Sequence, residues 1–196
     1  MATQEYYELA TFTFKDPSTT TASPAFADVA ETLKSAPGAL AVYFGEKIEH
    51  AGVYVLAIRW ETVAAYEAFT KGPGFPAFAQ ELGALLDTLS TLKTTPAKGN
   101  LASALDAPCT EVFSALGTDD SFLENNLSKF LAGMEVGLHI NAEAPDTGIV
   151  LLFLGWESRE IHLAQKGEDS PITLNLHHVG TGRKSVDMYH VNFKKL

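Results

Sequence analysis

Two stretches near the end of the chain read His-x-Asn on otherwise apolar strands: His139 with Asn141, and His190 with Asn192. In a strand alternate residues share a face, so Met134, Val136, Leu138 and Ile140 take one side while Glu135, His139 and Asn141 take the other. In the final strand Asp187, Tyr189, Val191 and Phe193 oppose Met188, His190 and Asn192. A histidine with pKa near neutrality can abstract a phenolic or α-carbonyl proton, and an asparagine can hold the oxyanion that results. His139 and His190 are therefore the candidate catalytic residues, with Asn141 and Asn192 as substrate ligands. Three strand spacings would put the two histidines roughly 14 Å apart, as separate parts of one lining. The plainer reading makes them rim histidines wetted by solvent.

Other residues carry weaker signals. Tyr43, Tyr54 and Tyr66, with Trp60 and Trp156, could stack on an aromatic ligand, although core packing is the default for all five. Tyr43, Tyr54 and Trp156 are taken as substrate-binding. The pair His177-His178 points its rings about 100° apart on a helix and makes a poor chelate, so no metal site is expected. Haem needs one histidine, and His139, His162 and His190 are equal candidates. Cys109, the sole cysteine, opens a strand and reads as an inert half-buried thiol. Lys71-Gly72-Pro73-Gly74 lacks the Lys-Ser/Thr ending of a phosphate loop, there is no dinucleotide glycine motif and no nucleophile elbow, and no cofactor is expected.

The elements that position these residues occur twice. VYVLAIRWET (residues 53–62) matches IVLLFLGWES (residues 149–158), and the tryptophans Trp60 and Trp156 are 96 positions apart. First strands are expected at residues 5–14 and 109–116, with Glu8 matching Glu111. Helices follow, one opened by Ser23-Pro24 and stopped by Pro37-Gly38, the other capped by Asp119 or Asp120 and ended by Gly133. Second strands at 39–47 and 134–141 precede the Trp-ended strands, a helix in two pieces capped by Thr62 or Ser158, and final strands at 89–95 and 185–193. The polar loop of residues 16–24 absorbs eight extra residues in the first copy. The order β-α-β-β-α-β, twice, gives an α+β chain of two tandem ferredoxin-like halves, 1–95 and 108–196, joined by a linker at 96–107.

The central strands do not alternate. Residues 53–58, 149–154 and 40–44 are apolar on both faces, whereas helices cover only one face of a ferredoxin-like sheet. A bare second face would expose more apolar area than a monomer tolerates. The economical cover is the sheet of the other half, at roughly 25 cal/mol per Å² of apolar area sealed. An α+β barrel enclosing one apolar chamber follows as the expectation.

With its strand-Trp-Glu-Ser/Thr-helix junctions (Trp156-Glu157-Ser158 and Trp60-Glu61-Thr62), the chain resembles the dimeric α+β barrel proteins, in particular the antibiotic-biosynthesis-monooxygenase-like ones. The resemblance implies a barrel built from one chain where relatives use two. It also implies activities such as cofactor-independent oxygenation, haem degradation or polyketide cyclisation. Such proteins often carry a His nine residues after the Trp; here Phe69 and Gln165 stand there. His162, six after Trp156, falls on a different helix face and inherits no role.

A formal charge of −10 repels phosphate backbones and anionic membrane surfaces, so neither nucleic acid nor membrane is an expected partner. No window reaches about 18 uninterrupted apolar residues, and the start of the chain lacks a signal-peptide pattern. The expected protein is cytoplasmic, a monomer with a pseudo-dimeric barrel or a homodimer. Its expected activity is that of a monooxygenase-like or cyclase-like enzyme on an aromatic or polyketide-like substrate. The alternative is a non-catalytic protein that binds a small hydrophobic ligand or haem. Five of six histidines lie in the second half, which places the expected working site there.

Overall fold

A computed structural model describes residues 4–21, 23–96, 100–119, 121–133, 142–144 and 148–196. The chain divides into two units, residues 1–95 with 193–196, and residues 96–192. In the first, strands β1 (Tyr6–Phe14), β2 (Ala39–Glu46), β3 (Tyr54–Trp60) and β4 (Leu86–Pro96) are joined by helices α1 (Pro24–Lys34), α2 (Val63–Thr70) and α3 (Phe75–Leu85). The sheet is antiparallel in the order β4-β1-β3-β2, the ferredoxin-like arrangement. A short strand from the far end of the sequence, β9 (Lys194–Lys195), pairs with the β2 edge, Phe44 opposite Lys194.

The second unit repeats the plan. A short helix α4 (Leu101–Leu105) comes first, with Leu101, Ala104 and Leu105 buried. The expected linker is thus partly helical, and the Thr110 hydroxyl donates 2.7 Å to the Ala104 carbonyl. Strands β5 (Cys109–Leu116), β6 (Ala142–Ala144), β7 (Ile149–Trp156) and β8 (Ser185–Val191) pair antiparallel in the order β8-β5-β7-β6. Between β5 and β6 a π-helical turn (Phe122–Leu127) runs into helix α5 (Ser128–Gly133), and α6 (Arg159–Ala164) and α7 (Pro171–Asn175) lie between β7 and β8.

Local chemistry sets the helix starts. The Thr62 Oγ1 accepts from the Ala65 amide at 3.1 Å, and the Ser158 Oγ accepts from the Ile161 amide at 3.2 Å, so both Trp-Glu-Thr/Ser junctions are true N-caps. Asp119 accepts from the Phe122 amide at 3.0 Å. Ser23 occupies the cap position of α1, but its hydroxyl accepts from the Thr20 amide instead, leaving Pro24 to start the helix. Thr62→Ala should cost about 1 kcal/mol in urea unfolding, the usual loss of one capping bond.

Both faces of the central strands are buried, as their composition requires. Facing the helices of the first unit, Phe12, Phe14, Val42, Phe44, Leu56, Ile58 and Trp60 form one core with Phe26, Val29 and Leu33 of α1. On the other face Tyr7, Leu9, Tyr43, Val55 and Ala57 are buried as well. Each unit holds an open antiparallel sheet, and of the expected barrel no closed form is seen among the described residues. Each unit has a cavity of its own between its sheet and its helices. No helix among the described residues is long and apolar enough to cross a membrane.

Candidate functional site

In the first unit the site begins with a carboxylate on an apolar strand. Glu8 sits in β1 directly opposite Lys93 of β4, and both side chains point to the helix side. Tyr66 joins them from α2, four residues past the Thr62 cap. The Lys93 ammonium lies 5.0 Å from the centre of the Tyr66 ring. Tyr66 is in turn held by Tyr6, at 4.9 Å between ring centres, and by Trp60, edge-on at 6.0 Å. These polar groups line a cavity of about 320 Å³ whose other walls include Leu56, Ile58, Phe69, Phe75, Phe78 and Leu82. It forms because Ala10 leaves the sheet low beneath α2 and α3, while Phe69 packs edge-on against Phe75 and Phe78.

Burial pushes the Glu8 carboxyl above the ordinary range, against the opposing pull of Lys93. The Trp60 indole N–H also favours the charged form from nearby, yet falls short of a hydrogen bond and is buried with no acceptor among the described residues. Burial works against the Lys93 ammonium, but the Tyr66 hydroxyl and the Glu8 charge outweigh it and hold Lys93 above the usual lysine range. A carboxyl biased towards neutrality beside a fixed cation, in an apolar cavity, can take a proton from a substrate and leave the new anion next to the ammonium.

The second unit places different residues at the same positions. Glu111 is opposite His190 as Glu8 is opposite Lys93, and His162 follows Trp156 by six residues as Tyr66 follows Trp60. All three are buried, with His162 and His190 each 1% exposed. His162 Nδ1 lies 2.6 Å from His190 Nε2, and His162 Nε2 lies 3.3 Å from Glu111 Oε2. The Trp156 indole donates to Glu111 Oε2 at 3.0 Å and its ring stacks on His162, centres 4.5 Å apart. The adjacent cavity measures about 60 Å³. That is room for one or two waters, not an aromatic substrate.

Of the residues singled out from sequence, His190 is part of this cluster, but on the helix side of its sheet and fully buried. Neither the chamber-facing orientation nor the wetted rim holds. Both faces of β8 carry apolar residues, so alternation gave the two sets of side chains without saying which set the helices cover. Trp156 lies at the cluster as well. Tyr54 packs among Phe12, Phe14 and Phe44. Tyr43 lies on the opposite face of its sheet beside Phe193, and neither tyrosine lines either of the two cavities described above. Asn192 is exposed just beyond the end of β8. His139 and Asn141 fall outside the described residues. Sequence reasoning missed Glu8, Lys93 and Glu111, and named Tyr66 only as a possible stacking ring and His162 only as a possible haem ligand. The signal was a lone glutamate at the same place in two apolar first strands.

Residues 6–81 match the family described as "Antibiotic biosynthesis monooxygenase". This segment of the first unit is thus similar to an antibiotic-biosynthesis-monooxygenase domain. It supplies Glu8, Tyr66 and all of α2 and α3 up to Glu81, so most of the larger cavity is built by that segment. Among solved structures, an anthrone oxidase-like protein superposes with a TM-score of 0.68 at 12% identity, covering 97% of this chain and 93% of its own. A protein described as a monooxygenase from Lactobacillus acidophilus gives 0.61 at 10% identity over 98% and 95%. One from Fusobacterium nucleatum gives 0.62 at 10% identity over 100% and 95%. These likenesses establish the fold across both units. Against curated protein sequences the chain finds no match.

Proposed function

We propose that the first unit is the working site of a monooxygenase that oxidises a small aromatic molecule bearing an acidic C–H or O–H bond. The observation that carries the reading is the Glu8–Lys93 pair at the wall of an apolar cavity of about 320 Å³ in the unit similar to a monooxygenase domain. That volume is at the small end of ligand sites, roughly 300–1,000 Å³. Among the described residues no histidine lines the cavity, which favours this reading over haem binding there.

In the proposed step the Glu8 carboxylate accepts the substrate proton. The carbanion or phenolate left behind is stabilised by the Lys93 ammonium and the Tyr66 hydroxyl in surroundings of low dielectric. Dioxygen is the oxidant. The anion gives up electrons to it, a C–O bond forms, and protonation yields a hydroperoxide. Loss of water then leaves a carbonyl, so a CH₂ and one O₂ become a C=O and one H₂O. The chain's own groups move protons and hold charge, and the aromatic walls keep bulk water from the anion.

The test is oxygen uptake by the purified full chain with a panel of anthrones, hydroquinones and naphthols, with products analysed for a new carbonyl. Uptake of one O₂ per product supports the reading; turnover of the same substrates without uptake points to a cyclase. Ala10→Leu, which pushes a larger side chain into the cavity floor, should cut kcat/KM at least tenfold, mainly through KM. A kcat/KM equal to that of the unaltered protein would place the substrate elsewhere.

A further inference from the structure

The two units solve the same electrostatic problem differently. Each places a carboxylate third in its first strand, half-buried as Glu8 and buried as Glu111. In the first unit the cation that answers Glu8 is built into the chain as Lys93, opposite it on the neighbouring strand. In the second the residue opposite Glu111 is His190, and the helix position filled by Tyr66 in the first unit is His162. A lysine and a phenol have thus been replaced by two imidazoles, the side chains that bind transition metals best as neutral ligands.

We propose that Glu111, His162 and His190 form a site for a divalent transition-metal cation. One ligand atom from each of the three lies within 4.8 Å of the others. The groups come from rigid places: Glu111 and His190 are directly paired across β5 and β8, and His162 is in the first turns of α6 behind its Ser158 cap. Around them are the fittings that metal sites need. The Trp156 N–H donates to the Glu111 carboxylate and fixes its orientation, and the Trp156 ring lies flat against His162, 17° from parallel. The cavity of about 60 Å³ beside Glu111 and His162 is the space for a fourth ligand, a water or small anion, on an open coordination position. On metal binding the hydrogen bond between the two imidazoles gives way to metal–nitrogen bonds of ~2.0–2.1 Å. Lys166 does not fill the role of Lys93, because its ammonium sits at the exposed rim, 3.9 Å from Met188 Sδ. A hydrogen-bonded chain from His190 through His162 to Glu111 is the competing account of the same geometry.

The test uses untagged full-length protein, stripped with chelator and titrated with Co(II), then competed with Zn(II). One Co(II) per chain with the intense visible bands of a four- or five-coordinate ion is expected, displaced by Zn(II). Glu111→Gln, nearly the same shape, should weaken binding at least tenfold, and Trp156→Phe by ~10-fold to 100-fold, the usual effect of removing an outer-shell partner. The double variant His162→Tyr with His190→Lys, which carries the first unit's residues, should lose the Co(II) bands while its circular dichroism stays native. His177→Ala with His178→Ala should leave binding unchanged, since neither histidine belongs to the cluster. The proposal is overturned by absence of stoichiometric Co(II), by equal affinity in Glu111→Gln, or by loss of binding in the His177/His178 variant. The first two outcomes would leave the hydrogen-bonded chain as the whole role of the cluster. Oxygen uptake at the first unit's site is a separate measurement, unaffected by any of them.

Discussion

Glu8→Gln is expected to lower kcat by ~10²–10⁴-fold with little change in KM, the range for removing a general base. The amide keeps the size and polarity of the carboxyl, so substrate still enters; it cannot accept the proton. Because burial raises the Glu8 pKa, the folded unit prefers the protonated carboxyl, and stability falls as pH rises from the unfolded value of 4.5 through the higher folded one. Glutamine removes that penalty, so near neutral pH the variant should melt at the same temperature as the parent or higher. In the parent, activity should rise with pH as Glu8 loses its proton, with a midpoint above 4.5. The Lys93 charge persists throughout, since its pKa lies above 10.5. An inactive variant with a lowered melting temperature would instead mark Glu8 as structural, and unchanged kcat would remove it from the chemistry.

Gly38→Val should have the largest effect on folding. Gly38 turns the chain from α1 into β2 with φ +83°, a region that costs a side-chain-bearing residue roughly 1–2 kcal/mol. An added Cβ would also stand 2.5 Å from the Ala65 Cβ, on the first turn of α2. Overpacking of that kind costs roughly 1–3 kcal/mol more. A fall in melting temperature of roughly 10 °C or more follows for a unit of this size. Because Ala65 adjoins Tyr66, whatever fold survives should bind substrate more weakly. Gly38→Ala tests the strain with less crowding and should lie between the two. Calorimetry showing a loss no greater than for an exposed glycine would contradict both arguments.

How much of this was legible in the sequence divides along physical lines. The repeat, the element order, the Thr62 and Ser158 caps and the burial of both strand faces follow from composition and spacing, which act over a few residues. The site did not follow, because its residues meet through strand register. Glu111 and His190 are 79 positions apart and become neighbours only when β5 and β8 pair. His162 was set aside by comparison with a histidine expected three residues later. Yet a helix opened at Ser158 swings that side chain back over Trp156 within its first turns. The concentration of histidines in the second half drew attention away from Glu8, Tyr66 and Lys93, which share one cavity although none of them is a histidine.

The pairing of β9 with the edge of β2 sets an order of events during synthesis. A ribosome that has delivered residues 1–95 has released the four main strands of the first unit but not the short strand that borders Phe44. That edge waits, with its amides and carbonyls open, until the whole second unit has emerged. The first unit is therefore made before the second and completed after it.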